Sequence, residues 1–174
     1  MDQLMLTDEQ TKVLLMGIRP SRVAVMDGMS HVEGYDIRAM LTRIFGFGMW
    51  EEIAQAPTEM LYDLETTTKA GKPAHKVAYK ASRRLVIHHP DGMTTNHDGS
   101  AVGEATMPDF KQGDTHDMAI KTAETQALKR CAINLGDQFG LSLYKNGSIE
   151  PLIRKIVGFD PPQEGTDGTS DTSE

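Results

Sequence analysis

Cysteine is almost absent from the sequence, since Cys131 is the only one among 174 residues. A single thiol cannot form an intrachain disulfide, and it cannot build a zinc site that needs several cysteines. Cys131 lies on the apolar side of a predicted helix. We therefore interpret it as a small buried hydrophobic residue rather than as a nucleophile.

Long apolar runs are also missing. No segment has the length of a membrane-spanning helix, and no signal-peptide pattern is present. The length suits one domain with its own core. We expect a soluble, intracellular protein without a membrane partner, located in the cytoplasm or nucleoid if a bacterium or phage encodes it.

An excess of positive charge, the usual sign of a nucleic-acid-binding protein, is lacking as well. The chain has 18 Lys and Arg against 25 Asp and Glu, for a net charge of −7. Five of those acids fall in residues 160–174, which contain no base, so the remainder has 20 acids against 18 bases, or −2. We predict a functional domain over residues 1–159 and a disordered acidic tail over residues 160–174.

Motifs of metal enzymes and nucleotide-binding enzymes are not found. The sequence has no HExxH pattern and no glycine-rich phosphate loop, so no metal or other cofactor is predicted. One alternative is a metal-dependent nuclease that uses histidines distant in sequence. Its candidate ligands are His88, His89, His97 and His116.

The N-terminal half predicts helices around a short hairpin. Thr7 and Gln10 form a capping box for a helix that ends near Met16. Residues 22–26 and 30–33 predict two strands joined around Asp27-Gly28. A second helix follows with Asp36 as its cap and ends at Gly46 and Gly48. Three aromatic residues next to its apolar side are expected in the core: Phe45, Phe47 and Trp50.

The middle of the chain predicts an antiparallel sheet. Extended segments are expected from Trp50 to about Glu65, with a break at Pro57. Residues 75–89 alternate most clearly, with apolar residues at odd positions and cations at Lys76, Lys80 and Arg84. These cations recur at every fourth residue, about 13 Å apart along one face of the strand. Residues 93–103 predict a partner strand, and 103–113 a loop.

The C-terminal half is dominated by one long predicted helix, from Asp114 to Leu135, with Asp114 or Thr115 as its cap. Small and apolar residues recur along one side at three- and four-residue spacing, and Gly136 and Gly140 follow the helix. Its polar side ends in Lys129 and Arg130. A further short helix is predicted over residues 148–157. The fold class is α+β, with an antiparallel sheet of about four to five strands packed on the long helix.

The long helix resembles the main helix of the Rad52 family of single-strand annealing proteins. The matching residues are Lys121, Ala123, Thr125, Leu128, Lys129 and Arg130, followed by the two glycines. A second matching block, His31-Val32-Glu33-Gly34, precedes the short second helix, and Phe45-Gly46-Phe47 with Trp50 follows it. The resemblance extends roughly over residues 22–144.

The resemblance implies ATP-independent binding of single-stranded DNA and annealing of complementary strands in recombination or repair, by a ring of identical subunits. It is not an enzymatic activity in the covalent sense. The sequence has 6% aromatic residues, which suits a protein that holds the backbone and leaves the bases free to pair. Possible protein partners are a single-strand-binding protein and a recombination nuclease.

Lys129 and Arg130 match the adjacent cations that the family uses to hold the DNA backbone. Two other family cations are replaced here, by Asp36 and Ile133. These replacements support another alternative, a non-catalytic interaction protein that kept the fold and lost DNA binding. The remaining candidate DNA-binding residues are Lys121, Lys76, Lys80, Arg84, Arg38 and Lys111.

Overall fold

The computed structural model describes residues 6–159 and has the expected α+β architecture. Its helices are α1 (Asp8–Leu15), α2 (Gly34–Phe45) and α3 (Gln112–Ala132). Its strands are β1 (Val23–Met26), β2 (Met29–Val32), β3 (Trp50–Ala54), β4 (Glu59–Thr67), β5 (Pro73–His88) and β6 (Thr94–Pro108). Short 3-10 turns lie at Pro20–Arg22, Asp109–Lys111, Ile133–Leu135, Asp137–Phe139 and Leu141–Tyr144.

Strand β5 is the centre of a four-stranded antiparallel sheet. It pairs with β6 along its whole length, from Ala74↔Pro108 to His88↔Thr94. Its other edge is shared, since β4 pairs with the first half of β5 and β3 pairs with the second half. The hairpin of β1 and β2 forms a separate two-stranded sheet. The predicted strands are therefore confirmed.

The odd-numbered side chains of β5 face the core, as the alternation predicts. Val77, Ala81 and Leu85 are fully buried there, and small residues of α3 lie against them. The largest group of buried side chains joins α2 and the second half of α3 to the end of β5. The helix α3 therefore covers one face of the sheet, and α2 packs beside its C-terminal half.

Two glycines of β6 allow α3 to lie very close to the sheet. A Cβ atom at Gly99 would come 2.6 Å from the Ala127 carbonyl oxygen, and one at Gly103 would overlap the backbone nitrogen of Ala123. Glycine therefore fits these positions because the helix backbone occupies the space of a side chain. This contact sets the distance between α3 and the sheet.

The N-terminal elements follow their local signals, with one exception. Thr7 and Gln10 form the predicted capping box of α1, and α2 ends at Gly46, where φ is 102°. Asp36 is not the cap of α2. The cap is Glu33, and Asp36 lies in the first turn, where its carboxylate binds Arg22. An ion pair distant in sequence thus replaces the predicted local hydrogen bond.

The region before α3 differs from the prediction. Strand β6 continues beyond Gly103 to Pro108, and α3 begins at Gln112. The residue preceding the helix is Lys111, and no side chain caps the first turn. Thr115 is buried inside the helix, and its hydroxyl donates to the Lys111 carbonyl at 2.9 Å. The predicted loop over 103–113 and the predicted caps at Asp114 and Thr115 are therefore wrong.

Residues 148–157 form no helix, contrary to the prediction. The backbone N–H of Ile153 donates to the buried carboxylate of Asp137 at 2.9 Å, which replaces the local hydrogen bond of a helix. The Ile149 carbonyl and Pro151 pack against Gly17. The predicted disordered tail at 160–174 lies outside the described residues. No helix among residues 6–159 is long and apolar enough to cross a bilayer.

The aromatic residues after α2 do not share one environment. Phe45 is buried, and the Trp50 indole donates to the Thr42 hydroxyl at 3.0 Å. Phe47 is 94% exposed, so its predicted place in the core is wrong. It lies between Gly46 and Gly48, both at positive φ, and the tight turn directs it away from the core.

Candidate nucleic-acid interface

The last turn of α3 carries the pair Lys129 and Arg130. Ala127, Leu128 and Cys131 around them are fully buried, which fixes the rotation of the helix on the sheet. Arg130 is exposed and Lys129 is partly buried. The same packing that buries the apolar side therefore places the two cations at the boundary between protein and solvent.

Lys129 has an environment unlike that of a free surface lysine. Burial of its ammonium group lowers the pKa of Lys129, and the nearby Glu33 carboxylate acts in the opposite direction. Glu33 is the cap of α2, so Lys129 lies on the side of α3 that faces this helix. A partly desolvated cation interacts more strongly with an approaching phosphate than a fully hydrated one does.

Arg130 points to the other side of α3. Its Nη1 donates to the Ser100 carbonyl of β6 at 2.6 Å, so the guanidinium lies over the edge of the sheet. Arginine has five N–H donors, and one contact leaves others free for phosphate oxygens. The two neighbouring cations thus flank the exposed surface of the last helical turn.

The two sequence blocks that resemble the Rad52 family meet in space. A Cβ atom at Gly34 would come 2.5 Å from Cγ2 of Thr125, so the start of α2 lies directly against the middle of α3. Thr125 is one turn before Lys129, and Gly34 follows Glu33. The conformation around Lys129 therefore depends on both blocks.

The second cationic group, Lys76, Lys80 and Arg84, lies on the even face of β5. The helix α3 packs on the odd face, against Val77 and Ala81. Successive side chains of a strand point to opposite faces, so the two cationic groups lie on opposite sides of the sheet. One groove within a single chain cannot contain both groups.

Acidic residues of the neighbouring strands lie beside the cations of this face. Lys76 Nζ is 3.1 Å from Glu104, and Arg84 is 2.7 Å from Asp98. Lys80 is paired in register with Glu59 of β4. The hydrogen bond from Arg84 lowers the pKa of Asp98. The even face is therefore a surface of mixed charge rather than a continuous cationic track.

Glu104 accepts hydrogen bonds from two side chains. The Tyr62 hydroxyl makes the larger contribution to lowering the pKa of Glu104, and Lys76 adds to it. The same contacts raise the pKa of Tyr62 and of Lys76. Lys76 is thus held as a cation within a local network of opposite charge.

The other three candidate residues are dispersed. Lys121 pairs with Asp117 at 2.5 Å, one turn earlier on the same helix. Arg38 pairs with Glu52 at 2.6 Å. Lys111 is exposed at the start of α3, about 27 Å along the helix from Lys129 at 1.5 Å per residue. Lys121 and Lys111 therefore lie about two and five turns before Lys129, and Arg38 is bound to Glu52, which also contacts Arg83.

Arg83 is a charged residue that sequence reasoning missed. It lies on the core face of β5, mostly buried, and contacts Glu52 at 3.3 Å and Glu124 at 2.5 Å. Glu124 also accepts a hydrogen bond from Thr58 at 2.8 Å. The sequence did contain a signal for this site, because Arg83 occupies a position in β5 whose neighbours on the same face are mostly apolar. A buried arginine needs an acidic partner inside the protein.

A cluster around Asp63 was also missed. Its carboxylate lies 2.8 Å from His75 and 3.3 Å from His116, and Gln112 donates to it at 3.4 Å. The hydrogen bond between Asp63 and His75 lowers the pKa of the carboxyl and raises the pKa of the imidazole. These residues come from β4, β5 and α3, so no local sequence pattern indicated the cluster.

The histidines do not assemble a metal site in the described part of the chain. No group of three or more His, Cys, Asp or Glu side chains among residues 6–159 has a geometry suited to a metal ion. His88 contacts Glu51 at 2.9 Å, and the buried His89 contacts the Thr95 hydroxyl at 2.7 Å. No observation therefore favours the nuclease alternative.

Comparison with known proteins agrees with the resemblance seen in the helix. The model of the Rad52/22 family of double-strand break repair proteins matches residues 16–151, from the end of α1 to beyond α3. The chain belongs to the Rad52/22 family. A search of curated proteins found no match. The Rad52/22 match includes both blocks that meet at Gly34 and Thr125, and it indicates a role in DNA recombination and repair.

Proposed function

We propose that this Rad52/22 family protein binds single-stranded DNA and anneals complementary strands, as a ring of identical subunits. Base pairing between the strands supplies the free energy, so the reaction needs no nucleotide hydrolysis, cofactor or covalent catalysis. The protein holds the sugar–phosphate backbone and leaves the base edges accessible. DNA is the partner, and further copies of the chain complete the binding surface.

The observation that carries this proposal is the position of Lys129 and Arg130. They end the helix on which the family motif lies, and the packing of α3 against β6 and α2 holds that helix in place. Arg130 is exposed, with donors beyond its contact to Ser100. A phosphate approaching this turn meets two cations that are already positioned, which reduces the entropy lost on binding.

The low overall charge is compatible with binding if the subunits act together. Residues 1–159 carry 18 bases and 20 acids, so a single chain offers only weak non-specific attraction. In a ring, the same pair of cations recurs in each subunit along the path of one DNA strand. Linked sites gain avidity through effective concentration, without any new contact.

A second candidate function is a protein–protein interaction module that does not bind DNA. Asp36 favours it, because a carboxylate stands where the family has a cation, and this carboxylate is tied to Arg22. Ile133 likewise offers no charge at the end of α3. This candidate predicts that the protein assembles normally and fails to bind single strands at any salt concentration.

The decisive experiment combines electron microscopy with an annealing assay. We expect rings in the absence of DNA, and faster annealing of complementary oligonucleotides without ATP or metal. The double variant Lys129→Ala with Arg130→Ala should keep the ring and lose most binding and annealing. Full annealing by this variant, or loss of annealing only because the ring dissociates, would show that the pair is not the DNA contact.

The matched control is Lys121→Ala, which removes a cation from the same helix. Lys121 is exposed and already paired with Asp117. Each of the three substitutions places alanine in a helix, where it is the best helix former. A much smaller effect on annealing is expected for Lys121→Ala, since a general loss of helix charge would affect both variants alike.

A further inference from the structure

Strand β4 has an unusual surface for a strand of a folded monomer. Eight of its nine residues are exposed, and only Tyr62 is partly buried. Met60, Leu61 and Leu64 are exposed by 50, 46 and 52%. The register places Met60 opposite Tyr79 and Leu64 opposite Lys76, so apolar side chains are exposed on both faces. Proteins normally protect an edge strand of this kind with another chain segment.

The free edge of β4 is acidic as well as apolar. Glu59, Asp63 and Glu65 lie on this strand, which contains no Lys or Arg. Among the described residues, β4 pairs only with β5, so its other edge offers unpaired backbone groups. A segment that covers this edge should therefore be extended, partly aliphatic and basic.

Residues 152–157, here called the C-terminal strap, are partly aliphatic and basic, and residues 153–156 belong to no helix or strand. Their sequence is LIRKIV, and Leu152, Ile153, Ile156 and Val157 are all exposed. Arg154 and Lys155 are exposed too. Within the described residues, the strap makes one backbone–backbone hydrogen bond, from Phe159 N–H to the Ile156 carbonyl. The Ile153 N–H also donates to the Asp137 carboxylate. The backbone groups of Arg154 and Lys155 make no backbone–backbone hydrogen bond with described residues, so they can pair with a strand.

The strap and β4 of one chain lie at different ends of α3. The strap follows the C-terminal end of the helix, where Ile153 is fixed to Asp137 and packs against Gly136. Strand β4 is tied to the N-terminal half, where Asp63 contacts His116. About 24 Å of helix separates His116 from Ala132. The strap is therefore suited to reach β4 of another copy rather than its own.

We propose that the strap of one subunit pairs with the free edge of β4 in a second copy of this chain. When the strap lies opposite the middle of β4, Arg154 and Lys155 are between Glu59 and Glu65, about 10 Å along the strand from each. The aliphatic residues then cover Met60, Leu61 and Leu64. The contact joins two different surfaces, so it is heterologous and closes into a ring when the rotation between copies permits. The inference rests on the proposed ring and names the surfaces that build it.

Charge reversal in the strap tests the contact. We expect Arg154→Glu with Lys155→Glu to lower the association constant between subunits about 100-fold, a change of about 2.8 kcal/mol. Light scattering should then show mostly the 19.2 kDa monomer at micromolar concentration. The control is Lys12→Glu with Lys145→Glu, two exposed lysines outside the strap, which should assemble like the parent.

Compensating changes in β4 identify the partner surface. By itself, Glu59→Gln with Glu65→Lys should weaken assembly. Combined with the reversed strap, it should restore assembly. Glutamine is used at position 59 because Lys80 is paired with that position. Melting curves confirm folding of each variant. A reversed strap that assembles like the parent, or a combined variant that stays monomeric, overturns the inference.

The outcome also separates this inference from the proposed function. A monomeric parent that still anneals DNA would overturn both the ring and the strap contact and leave annealing standing. An oligomeric parent that is unaffected by strap reversal would overturn the strap contact alone.

Discussion

Arg22 donates two hydrogen bonds to the carboxylate of Asp36, from Nε to Oδ1 at 3.1 Å and from Nη2 to Oδ2 at 2.6 Å. The same guanidinium donates to the side chain and the backbone carbonyl of Gln138, at 2.7 and 2.8 Å. One arginine thus joins the turn before β1 to α2 and to the turns after α3. Asp36 therefore has a structural role at the junction of these elements.

We expect Asp36→Asn to lower the free energy of unfolding by roughly 2–3 kcal/mol, since charged hydrogen bonds to a mostly buried Arg22 are lost. Urea denaturation followed by circular dichroism measures the change. The control is Asp117→Asn, whose partner Lys121 is exposed, with an expected effect below about 1 kcal/mol. Equal effects of the two substitutions would show that the Arg22 pair contributes no more than a surface pair.

Adding even one methyl group at Gly103 should lower the stability of the protein. Gly103→Ala places a methyl group on the backbone of Ala123, so we expect α3 to shift and the melting temperature to fall. The control is Gly113→Ala, in the first turn of α3, where no atom lies within 4 Å of the new Cβ. It should stabilise the protein by about 0.5–1 kcal/mol. A harmless Gly103→Ala would contradict the close approach of helix and sheet.

The salt dependence of DNA binding should distinguish the two cationic groups. For single strands, each phosphate contact contributes about 0.7 to the slope of log K against log salt. We expect Lys129→Ala with Arg130→Ala to lower the slope by about 1.4. Lys76→Ala with Lys80→Ala should change it by less than about 0.7, because acids lie beside both lysines. Fluorescence anisotropy at several salt concentrations measures both slopes. If the two double variants lowered the slope equally, the even face of β5 would have to be counted as a DNA-binding surface.

The Asp63 cluster should contribute most to stability in mildly acidic solution. The raised pKa of His75 adds stability below its ordinary value of 6.5, and this is lost as the pH rises through the value in the folded state. The lowered pKa of Asp63 adds stability above 3.8, which is lost on acidification through its folded value. The contributions therefore overlap between about 4 and 6.5.

The variant Asp63→Asn tests this account. Its melting temperature should lie furthest below that of the parent between about pH 4 and 6.5, and the difference should shrink as the pH rises through the folded pKa of His75. Chemical shifts of the imidazole protons should show a lower pKa of His75 in the variant. A difference in melting temperature that does not vary with pH would exclude a protonated His75 as the partner of Asp63.

Elements with a strong repeating pattern were predictable from sequence. The alternation in β5 continues over several residue pairs, and the helical spacing in α3 continues over several turns. Each pattern therefore indicates its strand or helix without information from the rest of the chain. The end of β6 was not predictable in this way. Gly103 was interpreted as a strand end, whereas it lies within the strand and admits the backbone of α3. A glycine needed for a tertiary contact looks the same in sequence as one needed for a turn.

The candidate site was predictable only where it depends on one element. Lys129 and Arg130 follow from the helix and the family motif. The charge of the even face of β5 depends instead on which acids β4 and β6 place beside Lys76, Lys80 and Arg84. That register is set by pairing between strands, and inspection of β5 alone suggested a cationic surface. The predicted helix over 148–157 failed for a similar reason, since Asp137 binds the backbone of Ile153.

The consecutive arrangement of β5, β6 and α3 has a consequence for the order of folding. These elements follow one another from Pro73 to Ala132, and each packs on the next along the chain. Contacts between neighbouring segments require little loop-closure entropy, so we expect this unit to form early in the folding reaction. Strand β4 joins β5 through residues 68–72, so the same argument includes it in this unit. Strand β3 and the N-terminal helices then attach to a completed template. The surface that carries Lys129 and Arg130 would take shape with this unit, before α2 packs beside it.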